Sequence, residues 1–72
     1  MAVWQKVASV TVGGKPYFWF KKSTHYLAWV VWDRYERKWR AEVRATSNNQ
    51  LVFRYFNTAE AGKKGVSSLN RR

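Results

Sequence analysis

The side chains of this sequence that are best suited to chemistry are arginines that alternate with apolar residues. The segment KWRAEVR, residues 38–44, alternates strictly, so one face of a β-strand would carry its apolar side chains and the other face Arg40, Glu42 and Arg44. Guanidinium groups make paired hydrogen bonds to guanine edges and charge-assisted bonds to phosphates, and a carboxylate accepts a hydrogen bond from the amino group of cytosine. The spacing therefore predicts a charged strand face that can contact nucleic acid.

Two neighbouring segments of strand character, residues 26–34 and 50–56, extend this predicted face. The alternation of side chains along these two segments predicts that Trp32, Arg34 and Arg54 project to the same side as the charged residues of segment 38–44. Trp32 would stack on a base or lie along a sugar. Phosphate contacts are expected from the C-terminal arginines and from four lysines outside these strands, which are Lys21, Lys22, Lys63 and Lys64. The alternative is a solvated sheet face on which Arg–Glu pairs each contribute roughly a few tenths of a kcal/mol.

The remaining polar residues do not predict catalysis. His25 is the only histidine, and it lies between Thr24 and Tyr26 with no obvious nucleophile near it in the sequence. The four acidic residues are Asp33, Glu36, Glu42 and Glu60. Their spacing suits neither a general acid–base pair nor a cluster of metal ligands. We therefore expect a non-enzymatic protein without a metal or cofactor.

The composition favours a polyanionic partner. Fourteen Lys and Arg residues stand against four Asp and Glu residues, which gives a formal net charge of +10 at pH 7. Such an imbalance destabilises the folded chain by self-repulsion and attracts nucleic acid or an acidic protein surface. The sequence has no cysteine, and no apolar run approaches the length of about 20 residues that a membrane span needs. We expect a monomer in the cytoplasm of a bacterium or phage-infected host cell, associated with the nucleoid and not with a membrane.

These side chains would be positioned by one small α+β domain. In chain order the predicted elements are an N-terminal β-hairpin (1–22), a three-stranded antiparallel meander (26–56), a C-terminal helix packed on that sheet (57–69) and a basic tail (70–72). The hairpin would turn at Gly13-Gly14, and Asn57 with Glu60 would cap the helix, whose small residues would let it lie close to the sheet. Four aromatic residues are expected in the core, namely Trp29, Trp39, Phe53 and Tyr55.

Residues 26–62 resemble a known family of DNA-binding domains. The segments KWRAEVR and LVFRYFNTAEA are similar to the pattern of plant AP2/ERF-type domains and of their relatives in phage homing endonucleases and in the arm-binding domains of tyrosine integrases. The resemblance implies a three-stranded sheet packed on one helix, with the exposed sheet face in the DNA major groove. It would place Arg34, Glu42 and Arg44 at positions that contact bases or the DNA backbone. Residues 1–22 are additional to the family's minimal domain and, as an alternative, could cover this face.

The sequence therefore predicts a small, basic, non-enzymatic DNA-binding regulatory protein that uses an exposed sheet face on duplex DNA. One alternative is a phage-type transcription regulator that binds host RNA polymerase and inhibits initiation or causes antitermination, a role for which a compact and very basic chain is also suited. Another alternative is a ribosomal or other RNA-binding protein.

Overall fold

The described part of the chain, residues 3–8 and 11–70 of this computed structural model, forms a five-stranded antiparallel sheet and one helix. The elements are β1 (Gln5–Val7), β2 (Phe18–Lys22), β3 (Tyr26–Asp33), β4 (Lys38–Ala45), β5 (Leu51–Phe56) and α1 (Ala59–Asn70). The strands lie in the sheet in chain order, so each strand pairs with the next. The fold is α+β, but the predicted hairpin beside a three-stranded sheet is wrong, because β2 pairs with β3 and joins all five strands into one sheet.

The N-terminal hairpin extends the sheet sideways. β2 pairs with β3 from Trp19 opposite Val30 to Lys22 opposite Leu27. The aromatic run of β2 thus gains a second hydrogen-bonded neighbour instead of remaining in a separate two-stranded unit, which would be only marginally stable. The described part of this hairpin therefore leaves uncovered the face of the meander that carries Arg40, Glu42 and Arg44. On the other face, its Tyr17 packs against Trp39 of β4 at a ring-centroid distance of 5.8 Å.

The predicted Gly13-Gly14 turn is present and sits against the end of β3. Both glycines have a positive φ, 62° and 92° respectively. A Cβ on Gly13 would fall 2.1 Å from the carbonyl oxygen of Trp32. Only glycine fits at position 13 without a shift of the backbone.

Each turn of the meander is a loop of four residues between the last pair of opposed residues, which are Asp33 and Lys38 in the first turn and Ala45 and Gln50 in the second. The last residue of each loop, Arg37 in residues 34–37 and Asn49 in residues 46–49, has a φ of 58°. The backbone N–H of each of these residues donates to the carbonyl oxygen four positions earlier, at 2.8 and 2.9 Å respectively. Because both loops have an even number of residues, odd-numbered positions of one strand lie opposite even-numbered positions of the next.

This register decides which side chains face α1. Trp39, Ala41 and Val43 of β4 lie opposite Trp32, Val30 and Ala28 of β3 and opposite Phe56, Arg54 and Val52 of β5. We call this side of the sheet the helix face; it provides most of the core, and Val66 of α1 is fully buried against it. The predicted core position of Trp39 is confirmed. Those of Trp29, Phe53 and Tyr55 are wrong, because these side chains lie on the opposite face, where Phe53 is 53% exposed.

The helix begins one residue later than the predicted cap requires. Ala61 donates its backbone N–H to the hydroxyl of Thr58 at 3.1 Å, which makes Thr58 the N-cap and corrects the prediction of Asn57. Glu60 forms an ion pair with Lys63 at 3.0 Å instead of completing a capping box. Asn70, predicted to start the basic tail, is the last helical residue, and residues 71–72 of that tail lie outside the described residues.

Candidate functional site

The sheet face that points away from α1 is the candidate site, and we call it the open face. In the described part of the chain, α1 packs on the other side of the sheet and no further element packs on this one. The members of the open face on β2 to β5 include Phe20, Lys22, Leu27, Trp29, Val31, Asp33, Lys38, Arg40, Glu42, Arg44, Leu51, Phe53 and Tyr55. An uncovered face that combines so many apolar and cationic side chains is typical of a binding surface.

Cross-strand pairing arranges the open face into rows. The central row runs Phe20, Trp29, Glu42, Phe53; the second row runs Lys22, Leu27, Arg44, Leu51; the third runs Val31, Arg40, Tyr55. Neighbouring rows are two residues apart along each strand, which is about 7 Å. The central row therefore contains three aromatic rings and one carboxylate. It lies between the second and third rows, each of which contains one arginine.

The rings of the open face contact one another and one guanidinium group. The centroids of Phe20 and Trp29 are 5.8 Å apart with an interplanar angle of 55°. Phe53 and Tyr55 form an edge-to-face pair at the same centroid distance of 5.8 Å. The guanidinium carbon of Arg44 lies 5.8 Å from the ring centroid of Trp29, which is within cation–π range. Phe53 nevertheless remains about half exposed, so its ring surface is available to a ligand.

Arg40 is held between two carboxylates. Its Nη1 lies 3.0 Å from Oδ2 of Asp33, and its Nε faces Oε2 of Glu42 in an ion pair that lacks the angle of a hydrogen bond. The hydroxyl of Tyr55 donates to the same oxygen of Asp33 at 3.3 Å. Because both carboxylates share the charge of Arg40, this arginine orients Glu42 rather than offering a free positive charge.

The pKa of Asp33 is lowered by the β3–β4 loop and by this network. The backbone N–H of Glu36 has the largest effect, and the N–H of Tyr35, the Tyr55 hydroxyl and the charge of Arg40 act in the same direction. Burial raises the pKa of the carboxyl group but does not outweigh the hydrogen bonds. Asp33 therefore stays ionised and anchors both the loop and Arg40.

Arg44 is the arginine of the open face whose charge is free for a ligand. It is exposed, and none of the ion pairs in the described part of the chain includes it. Lys22 in the same row and Lys38 at the other end of the face are also exposed. The open face thus carries four cationic side chains against two carboxylates, and three of the four cations are unpaired within the described residues.

Of the residues predicted to share one charged face, the structure brings together Arg40, Glu42 and Arg44. Trp32 and Arg54 lie on the helix face, so the prediction that they project beside these three is wrong. Trp32 is occupied there by an edge-to-face contact with Trp39, at a centroid distance of 5.5 Å. Arg34 lies in the exposed β3–β4 loop, where its guanidinium group sits 5.2 Å from the ring of Tyr35.

The lysines predicted to contact phosphates are divided between the two sides of the sheet. Lys22 lies on the open face, whereas Lys21 lies on the helix face between the rings of Trp4 and Tyr26. Lys63 and Lys64 belong to α1. The ammonium group of Lys63 is 3.6 Å from the ring centroid of Trp19 and pairs with Glu60, so it is engaged within the protein. Lys21, Lys63 and Lys64 therefore cannot all lie against the same flat ligand as Arg44.

The aromatic residues of the open face are the functional candidates that sequence reasoning placed elsewhere. The alternation of charged residues does not single out Phe20, and the sequence predicts that Trp29, Phe53 and Tyr55 are buried. The signal that would have located them is the even length of the two meander loops, because it puts them beside Arg40, Glu42 and Arg44.

No protein-family model, curated protein or solved structure matches this chain. Within residues 3–8 and 11–70, no three His, Asp or Glu side chains come together in a way that could hold a metal ion. The helix of the described region is neither long nor apolar enough to cross a membrane.

Proposed function

We propose that this chain is a non-enzymatic DNA-binding protein whose contact surface is the open face of its sheet. The observation that carries the proposal is the position of Arg44, exposed and outside the ion pairs of the described residues, beside a row of aromatic rings on an uncovered face. Rings offer surfaces for stacking and guanidinium groups contact phosphates and base edges, a combination found in nucleic-acid-binding sheets. The net charge of +10 supports the same class of ligand.

Affinity would come from exposed cations on and around the open face. Lys22 and Arg44 lie in one row, Lys38 lies at the opposite end, and Arg34 extends from the adjoining loop. Each phosphate that these groups neutralise releases counterions, so binding falls as salt concentration rises. On a duplex, selectivity would come from Arg44 and Glu42, because their donors and acceptors match base edges rather than phosphates alone.

The resemblance to AP2/ERF-type domains makes duplex DNA the first ligand to test. Binding of the wild type, Arg44→Ala and Arg54→Ala to a panel of labelled duplexes is measured by fluorescence anisotropy over a range of salt concentrations. The two variants lose the same charge, but from the open face and the helix face respectively. We expect Arg44→Ala to lose about 1–3 kcal/mol of binding free energy on a preferred duplex, and Arg54→Ala to lose less.

The pattern of losses also separates the roles of Arg44. A loss that is the same on every sequence would make Arg44 a phosphate contact instead of a base contact. Equal losses in the two variants would contradict the assignment of the open face, and binding that does not weaken with salt would contradict the proposal itself.

An acidic protein surface, such as that of RNA polymerase, is the second candidate partner. The net charge of +10 suits an acidic surface, and Leu51 and Phe53 are 46% and 53% exposed on β5, an edge strand of the sheet in the described part of the chain. A strand of a partner can add to such an edge through backbone hydrogen bonds. A tagged pull-down with and without nuclease distinguishes the candidates: captured proteins that disappear with nuclease support DNA, and a stoichiometric partner that survives it supports protein binding.

A further inference from the structure

The central row of the open face has the components of a base-stacking platform. Phe20 and Trp29 lie side by side on neighbouring strands, and Phe53 lies on the far side of Glu42. Phe53 is 53% exposed, and no element in the described part of the chain covers the row. Aromatic side chains on an exposed sheet stack on nucleobases with little regard to sequence, because every base has a π face.

The breadth of the sheet argues against entry into a duplex. Five strands at a spacing of about 4.8 Å make a sheet roughly 19 Å wide. The major groove is about 12 Å wide and admits a helix or a two-stranded ribbon. The bases of a duplex are also stacked on one another, so a row of rings on a broad sheet meets no free base face. In a single strand the bases can be splayed out and stacked on such rings.

We propose that the open face binds single-stranded nucleic acid, with bases stacked on Phe20, Trp29 and Phe53 and with Glu42 accepting hydrogen bonds from base amino groups. This inference rests on the proposed function and names the form of the nucleic acid that is bound. It replaces the duplex expected from the resemblance, because the sheet has five strands rather than three.

Glu42 gives this surface a preference among bases. Its Oε2 is paired with Arg40, which fixes the carboxylate in the middle of the aromatic row. The other oxygen of this carboxylate, Oε1, takes no part in the ion pairs of the described residues. Its position is set by the same contact of Glu42 with Arg40. Cytosine offers the N4 amino group as a donor, whereas thymine offers the O4 acceptor at the equivalent position, which a carboxylate repels. Cytosine is therefore favoured over thymine.

The phosphates of a strand bound in this way lie over the second row. Arg44 and Lys22 are one row away from the rings, about 7 Å along the strands. They are exposed, so a phosphate reaches them without displacing a side chain of the protein. The carboxylate in the central row repels phosphate, which keeps the backbone of the strand on the side of Arg44.

The test uses the full chain and labelled oligodeoxynucleotides of about twelve residues, long enough to span one sheet. The probes are oligo-dC, oligo-dT and a mixed-sequence duplex of the same length, and binding is followed by fluorescence anisotropy. The variants are Phe53→Leu, which keeps an apolar side chain but removes the ring, and Glu42→Gln. Tyr35→Leu is the matched control, because Tyr35 is an aromatic residue that is 83% exposed but lies in a loop beyond the face. Thermal unfolding confirms that each variant is folded.

We expect the wild type to bind oligo-dC more tightly than oligo-dT and either more tightly than the duplex. Phe53→Leu should weaken binding of both single strands by about 5- to 100-fold, while Tyr35→Leu, which removes only the ring beside Arg34, should weaken it much less. Glu42→Gln should bring the ratio of oligo-dC to oligo-dT affinity close to one, even if the release of Arg40 raises both affinities.

Each failure has its own signature. Tighter binding of the duplex, with no effect of Phe53→Leu, would overturn the single-strand inference and leave the proposed function intact. A ratio of oligo-dC to oligo-dT affinity that Glu42→Gln does not change would remove Glu42 from base recognition. No binding of any probe, or binding that Arg44→Ala does not weaken, would overturn the proposed function together with this inference.

Discussion

Gly65 of α1 lies directly against the ring of Phe56 at the end of β5, and a Cβ at position 65 would fall 2.2 Å from Cζ of that ring. The preceding glycine of the helix, Gly62, is also close to the sheet, with its virtual Cβ 3.1 Å from Cγ1 of Val30. The absence of two side chains therefore allows α1 to cross the sheet at short range. This close approach seals Val30 and Val66 from solvent, and both are fully buried.

Replacing Gly65 with alanine should destabilise the protein although alanine is the better helix former. The gain in helix propensity is about 1 kcal/mol, but the methyl group must displace the ring of Phe56, and overpacking of this kind costs about 1–3 kcal/mol. We expect Gly65→Ala to lower the free energy of unfolding measured in urea, and Gly62→Ala to change it much less. Lys64→Ala, at an exposed position of the same helix, is the control. A Gly65→Ala protein as stable as the wild type would mean that α1 can move away from the sheet.

The identity of the helix cap can be decided with a pair of adjacent substitutions. Thr58→Ala removes the hydroxyl that accepts the N–H of Ala61, whereas Asn57→Ala removes the side chain that sequence reasoning placed in that role. We expect Thr58→Ala to lower the free energy of unfolding by about 1 kcal/mol and Asn57→Ala to lower it by less than about 0.5 kcal/mol. Chemical denaturation of the two variants measures the difference. A larger loss of unfolding free energy in Asn57→Ala than in Thr58→Ala would instead identify Asn57 as the N-cap.

Local patterns in the sequence were sufficient to identify the strands but not to relate their faces. The alternation of Trp39, Ala41 and Val43 with charged residues assigns both faces of β4 correctly, because a period of two is a property of one strand. Which side chains of two paired strands share a face depends on the number of residues in the loop between the strands. One residue more or less in that loop turns every side chain of the second strand to the opposite face of the sheet. The loops have four residues each, so Arg40 lies beside Val31 and Tyr55 and not beside Trp32 and Arg54.

The sequence carries a clear signal for one of these loops only. Asn49 tolerates a positive φ, and its place in an Asn pair marks the β4–β5 turn. Arg37 adopts the same φ in the β3–β4 turn, but arginine is not a residue that indicates this conformation. Local hydrogen bonds hold the start of this loop, where the N–H groups of Tyr35 and Glu36 donate to the carboxylate of Asp33. No residue type marks the end of the loop at Arg37, so its even length, and with it the aromatic part of the candidate site, does not follow from local propensity.

Lys63 should behave as a structural lysine and its neighbour Lys64 as a solvent-exposed one. The ammonium group of Lys63 is 3.6 Å from the ring centroid of Trp19, and its side chain is only 15% exposed, whereas Lys64 is exposed. We expect Lys63→Gln to lower the thermal stability by the equivalent of about 0.5–1 kcal/mol, and Lys64→Gln to leave it within about 0.5 kcal/mol of the wild type. Equal stability of the two variants, measured by thermal unfolding, would show that the contact with Trp19 contributes nothing.

The contribution of Asp33 to stability should depend on pH in a defined direction. Its pKa is lowered in the folded protein, first by the backbone N–H of Glu36 and further by Tyr35, Tyr55 and Arg40, so the unfolded chain takes up the proton at a higher pH than the folded one. The stabilisation is therefore complete above the ordinary aspartate pKa of about 3.9 and is lost as the pH falls through the lowered value. Asp33→Asn, which can keep the loop hydrogen bonds but not the ion pair, should be less stable than the wild type near neutral pH. The difference in unfolding free energy, measured in urea at a series of pH values, should narrow below about pH 4; a difference that stays constant or widens there would show that the carboxylate of Asp33 is not held in its charged form by these contacts.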